Sequence, residues 1–338
     1  MSRQTRHMLS VGIDVGTTTT QLVFSRLTLA IGPAGGATPL GRAPLTRPGA
    51  PGVVDKKVLY RSEVYFTPLR GPDEVDAPAL EQIVRREYQR AGIAPAQVES
   101  GAVIITGETA KKQNADAILE ALSALAGDFV VTVAGPHLES MMSGRGSGAA
   151  AYSREHYTTV TNVDIGGGSA NSAIFRQGEL LAAAAMNYGG RIIELDPSGG
   201  QIQHLAQPAR IILTHLGLPL QVGDRPTLTH LQTITGCMAD LTVELIEGPR
   251  SPLAQELLLT PPASMSGAGT VLCFSGGIGH YYYHPLTLRT VTDVARHGDI
   301  GPLLAESIRL HPLIQRYTVH RPPETMAATV MGASAQTV

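Results

Sequence analysis

Residues 162–175 read NVDIGGGSANSAIF, and residues 8–20 read MLSVGIDVGTTTT. Aligned on their aspartates, the two stretches follow one plan. Ile13-Asp14-Val15-Gly16 matches Val163-Asp164-Ile165-Gly166, the second copy lying 150 residues after the first. Small residues come next, Thr17–Thr20 in one copy and Gly167–Ala170 in the other, and a second β-prone stretch ends at Phe24 or Phe175. Each unit predicts a strand, a tight turn and a hairpin partner, with one carboxylate at the strand's end.

Chemistry gives that pattern a purpose. A turn without bulky side chains exposes successive backbone N–H groups, which together form a concavity for anionic oxygens. Gly16, Thr17, Thr18, Thr19 and Thr20 would supply amides and hydroxyls on one side, and Gly166, Gly167, Gly168 and Ser169 on the other. Asp14 and Asp164 would repel phosphate unless a cation stood between. Magnesium prefers oxygen ligands, keeps several waters and is commonly held by one or two carboxylates plus substrate phosphates. Two facing units would therefore clamp the β- and γ-phosphates of a nucleotide through one shared ion. Either turn alone is also what an ordinary hairpin needs; a second copy and a third Gly-rich turn, Ser275-Gly276-Gly277-Ile278-Gly279, favour the phosphate reading. That third turn is neither a Walker loop nor the dinucleotide fingerprint of a first strand.

Around these motifs, short apolar strands alternate with amphipathic helices, which predicts an α/β protein. Asp76 is placed to cap a helix that Gly92 ends, with Leu80, Ile83, Val84, Tyr88 and Ala91 on one stripe. Ala102–Thr106 and Val271–Phe274 read as buried strands, and Ile234, Met238, Leu241 and Leu245 as one face of a helix ended by Gly248. Glu324–Ala335 reads as a small-residue helix. Gly144, Gly146 and Gly148 permit very close backbone approach. Gly32 to Gly52 hold six Gly and five Pro in 21 residues, a density that neither a core helix nor a central strand tolerates, so this stretch predicts a loop.

Composition excludes several classes. The chain has 338 residues, 26 Lys plus Arg against 28 Asp plus Glu, and no Trp. No global field would draw in nucleic acid or an anionic membrane, and aromatic residues, at 4%, are too few for base stacking. Two cysteines, Cys237 and Cys273, cannot build a disulfide framework. No apolar run approaches the ~20 residues of a membrane span, so neither nucleic acid nor membrane is expected as a partner and a cytoplasmic location is.

In this order, the motifs resemble the actin-like ATPase superfamily of actin, heat-shock chaperones and sugar kinases. Asp14–Thr20 is similar to its first phosphate loop, Asp164–Ser169 to its second and Ser275–Gly279 to its adenosine loop, where Gly276, Gly277 and Gly279 would admit adenosine. Thr106–Ala110 and Glu324–Gln336 are similar to its two hinge segments. The resemblance implies an actin-like (ribonuclease H-like) fold of two duplicated domains around a nucleotide cleft: residues 1–158, residues 159–321, and a second hinge segment, 322–338, returning to the first. It places a water-orienting carboxylate at Glu139 or Glu108.

A narrower resemblance rests on IITGETAK (104–111), AGPHLES (134–140), SPLAQ (251–255) and DIGPLLA (299–305). With the two phosphate-loop stretches, they resemble the ethanolamine ammonia-lyase reactivating factors, the EutA family. That family implies a magnesium-dependent ATPase acting as a chaperone in ethanolamine catabolism. It would use ATP to release inactivated cobalamin from ethanolamine ammonia-lyase so that intact adenosylcobalamin can bind. A homodimer and association with a bacterial microcompartment are further implications. Family members continue past the second hinge segment, so a chain ending at Val338 is expected to be shorter than they are. A small-molecule kinase of the same fold and a nucleotide-dependent filament or scaffold are the rival readings.

Overall fold

The computed structural model describes residues 4–16, 19–31, 52–71, 74–105, 115–123, 125, 129–133, 135–261 and 271–333. Two sheets organise it. The first contains β1 (Gln4–Val15), β2 (Thr19–Ile31), β3 (Gly52–Arg61), β4 (Ser100–Ile105) and β5 (Phe129–Val133), in the order β3-β2-β1-β4-β5, with a short strand at Tyr65–Phe66 also pairing β2. The second contains β6 (Thr159–Ile165), β7 (Ala170–Arg176), β8 (Glu179–Met186), β9 (Val271–Ser275) and β10 (Thr318–Val319), in the order β8-β7-β6-β9-β10.

The sequence repeat is thus a repeat of whole sheets. In each, three antiparallel strands are followed by two parallel ones. Central strands β4, β6 and β9 are buried along nearly their whole length, as strands covered on both faces must be, which accounts for their continuous apolar runs.

Helices cover these sheets. Helix α1 (Ala77–Ala91) starts where Asp76 accepts a bond from Ala79 N at 3.0 Å and ends at Gly92, whose φ of +66° suits glycine. It buries Leu80, Val84 and Tyr88 against Val11, Ile13, Phe24 and Val103 of the first sheet's core. Helix α2 (Pro136–Gly146) follows β5. In the second half, α3 (Leu228–Glu247) presents Leu231, Ile234, Met238, Leu241 and Leu245 to a larger core that includes Val163, Tyr188, Phe274 and Leu304. Helix α4 (Gly276–Tyr283) leaves β9 directly, α5 (Gly301–Leu310) packs beside α3, and α6 (Ala328–Ala333) closes the described chain.

Helices α2 and α6 trade places. Helix α2 follows the first sheet yet packs on β6, β7 and β8 of the second. Helix α6 follows the second sheet yet packs on β1, β2 and β4 of the first, where Ala333 joins Met142, Ala102 and Ile104 in one small core. The crossing therefore pairs 136–146 with 328–333, whereas 106–110, the expected first hinge segment, lies outside the described residues. The second expected segment is helical only from Ala328; before it, Glu324 Oε1 accepts a bond from Ala327 N at 3.0 Å. Between Ile31 and Gly52, which end β2 and begin β3, the Gly/Pro-rich stretch lies outside the described residues.

Candidate nucleotide site

Both hairpins close the same way. Gly16 N donates to Thr19 O at 2.9 Å, and Gly166 N donates to Ser169 O at 3.1 Å. In register, Asp14 stands between Gln21 of β2 and Ile104 of β4, while Asp164 stands between Asn171 of β7 and Ser275 of β9. Each carboxylate thus occupies the central strand of a three-strand row, one residue before the strand runs out. Asp14 is half-buried and Asp164 is buried.

Asp164 heads a chain of buried polar groups. Ser275 Oγ donates to its Oδ2 at 2.5 Å, Asn162 Nδ2 donates to Ser275 Oγ at 3.0 Å, and Ser147 Oγ donates to Asn162 Oδ1 at 2.9 Å. Burial pushes the Asp164 carboxyl up to about 6, although the Ser275 bond pulls the other way. Across the hairpin, the buried amide oxygen Asn171 Oδ1 has no donor among the described residues. A carboxylate kept from water beside an orphan acceptor is an environment that a hydrated cation would satisfy.

Of the glycines expected to admit adenosine, Gly276 has a φ of +76°, and a Cβ there would meet the Ile165 backbone, 2.7 Å from its carbonyl carbon. Glycine is required at that point, and it joins the start of α4 to the end of β6, where the second Gly-rich turn begins. A Cβ at Gly279 would lie 2.6 Å from Phe274 C, a packing reason that needs no ligand, and a Cβ at Gly277 would meet nothing within 4 Å. The expected adenosine loop is the first turn of a helix, not a free turn. Its second anchor is the bond from Gly276 N to Thr325 O, 3.0 Å, which ties it to the segment entering α6.

Glu139 is buried in the first turn of α2, beside Ser140, whose Oγ donates to Pro136 O at 2.7 Å. Thr17, Thr18 and Glu108, with Thr106 and Thr109, lie outside the described residues. Thr19 is exposed and Thr20 buried, the latter sharing a 3.0 Å hydroxyl–hydroxyl bond with Thr67. Asn162, Asn171 and Ser147 escaped the sequence reading. Their one signal is polarity in the wrong place, an Asn in the apolar run TVTNVDI and another opposite an aspartate.

A family model described as "Ethanolamine utilisation protein EutA" matches residues 6–338. The chain belongs to this family. It is 39% identical over 334 residues to the "Ethanolamine ammonia-lyase reactivase EutA" of Escherichia coli (strain K12), covering 99% of this chain and 68% of that protein, and equally so to the Salmonella typhimurium protein of the same name. Among solved structures, the Aquifex aeolicus PPX-GPPA enzyme superposes with a TM-score of 0.52 at 11% identity, over 98% of this chain and 100% of that one. That likeness concerns the fold alone, and the fold is the actin-like ATPase fold. For the EutA family member described here, no helix among the described residues is long and apolar enough to cross a membrane.

Proposed function

We propose that this chain is an ATP-dependent reactivase of adenosylcobalamin-dependent ethanolamine ammonia-lyase, releasing inactivated cobalamin so that the intact cofactor can replace it. The observation that carries this reading is 39% identity, over nearly the entire chain, to two proteins named for reactivating that lyase. ATP and magnesium are the proposed ligands, in a cytoplasmic protein of two domains meeting at the α2–α6 crossing.

The residues present fit these ligands. The duplicated turns close alike, through Gly16 N to Thr19 O and Gly166 N to Ser169 O, so the amides of Gly167 and Gly168 are the ones that would face phosphate in the second turn, while Gly276 lets the start of α4 lie directly on the Ile165 backbone. Asp14 and Asp164 would hold magnesium through water, and Asn171 Oδ1 offers a further acceptor. Bound, the magnesium triphosphate would supply a terminal phosphoanhydride whose hydrolysis by water to diphosphate and phosphate releases free energy.

The chain's own residues then do three things. The two phosphate loops orient the triphosphate from opposite halves, so its binding favours the arrangement in which both reach it. Glu139, buried at the start of α2, is placed on the element that crosses between halves, where it would orient water. Helices α2 and α6, touching through backbone, carry relative motion of the halves to the lyase-binding surface. A coupling of a few kcal/mol is ordinary for such linkage.

The decisive experiment incubates cobalamin-inactivated ethanolamine ammonia-lyase with this protein, ATP, magnesium and free adenosylcobalamin. Recovery of deamination that needs all four components is expected. Recovery without nucleotide, or none, overturns the reading. Nucleotide consumption that depends on an added small acceptor would favour a kinase instead.

A further inference from the structure

Each phosphate loop is stitched to a neighbouring segment. On the first side, Thr67 Oγ1 donates to Gly16 O at 2.8 Å and Phe66 pairs with Thr19. On the second, Gly190 N donates to Gly166 O at 2.9 Å and Arg191 N to Gly167 O at 2.8 Å. Gly189 lies so close that a Cβ would sit 2.6 Å from Gly167 C. The two stitched segments meet each other. Arg191 Cζ stands 5.0 Å from the centroid of the Phe66 ring.

Arg191 is prepared rather than spent. Its Nε and Nη2 reach Glu194 at 3.2 and 3.3 Å, which fixes one edge of the guanidinium. Nη1 donates to no acceptor among the described residues. A guanidinium presents two usable edges, and the second suits a planar or tetrahedral oxyanion. Phe66 is 68% exposed, a poor use of a phenyl ring except as a face for a cation. With Glu194 paired to it and Asp299 within electrostatic reach, Arg191 adds direction more than net attraction, so its effect falls on discrimination between ligands.

We propose that Arg191 donates to the terminal phosphate of a nucleoside triphosphate held by both loops, and that Phe66 is the positioning residue that keeps it there. By this assignment the cation distinguishes triphosphate from diphosphate, because the group it takes is the one that a diphosphate lacks. This rests on the nucleotide reading above.

The test is calorimetric titration of the full chain with magnesium and either ATP or ADP. In Arg191→Ala, ATP affinity is expected to fall about ten- to a hundred-fold, the worth of one charge-assisted bond, while ADP affinity changes less than about threefold. Arg191→Lys should recover part of the loss, and Phe66→Leu should weaken ATP about two- to fivefold with ADP unmoved. If Arg191→Ala fails to fold, judged by circular dichroism, the Lys and Leu variants decide on the same criterion. Equal loss for both nucleotides, or no loss for either, overturns the assignment. Wild-type protein that binds neither nucleotide overturns the site reading itself, a separate and recognisable failure.

Discussion

Gly146 of α2 and Gly332 of α6 touch backbone to backbone. A Cβ on Gly146 would run into Ala328 O and Gly332 N, and a Cβ on Gly332 into Met142 O. These obstacles are main-chain atoms, which cannot swing aside as a flexible side chain can. The two helices thus meet without side-chain interlocking where, among the described residues, the halves exchange elements.

Gly332→Ala is therefore expected to destabilise the protein by about 1–3 kcal/mol, the usual cost of overpacking, and Gly332→Val by more. Urea denaturation measures it. Gly277→Ala, with open space around its Cβ, is the control and should lose little. Equal midpoints for Gly332→Ala and the wild type would mean that the helices are not held at this distance.

Much of this was legible beforehand, because it depends on local rules. Asp76 and Gly92 bound α1 by capping chemistry, and the paired hairpins follow from strand–turn–strand periodicity. What failed was non-local. Gly144 and Gly146 announce a close approach, but nothing near them says that Gly144 meets the Phe175 ring and Gly146 the backbone of Ala328 and Gly332, partners far along the chain. The turn at Ser275–Gly279 became a helix because contacts with Ile165 and Phe274 override the poor helix propensity of three glycines. Asn162 went unread for a similar reason: its role exists only once β9 brings Ser275 alongside.

Asn162 joins Ser147 to Ser275 in a site with no exposed surface. Asn162→Leu would leave both hydroxyls buried with one fewer partner and is expected to cost about 2–4 kcal/mol, since each stranded group pays its own desolvation. Asn162→Ser, able to keep one of the two bonds, should cost less. Chemical denaturation ranks them, and a Leu variant as stable as the wild type would show that the relay contributes nothing.

Glu87 is fully buried and accepts from Tyr60 at 2.7 Å, Tyr65 at 2.6 Å and Arg90 at 3.1 Å. It ties α1 to the strand segment carrying Phe66; burial first and the Glu87 bond second push both phenols up, Tyr60 to about 12. Glu87→Leu should cost about 1–3 kcal/mol, because it takes the acceptor from two phenol hydroxyls, while Arg90, half exposed, can turn to water. Ultraviolet titration should also show Tyr60 ionising at lower pH in the variant. An unmoved phenol titration would contradict the assigned bond.

Asp164 separates stability from function most sharply. Its carboxyl titrates near 6 in the fold and near 3.8 as a free group. Well below pH 3.8 the group is neutral in both states and costs nothing; as pH rises from there towards 6 the unfolded chain ionises first, so stability falls, and above 6 the full cost remains. With a shift of this size the cost is about 3 kcal/mol, at 1.36 kcal/mol per pH unit. Asp164→Asn should accordingly melt higher than the wild type at pH 7.5 without magnesium, with the difference closing below pH 4. The same variant should lose the magnesium-dependent part of nucleotide binding, because an amide cannot replace a carboxylate facing a hydrated dication. Thermal melts across pH, paired with titrations with and without magnesium, test both halves; a variant that melts lower at pH 7.5, or keeps its magnesium response, would mean that this aspartate serves the fold rather than an ion.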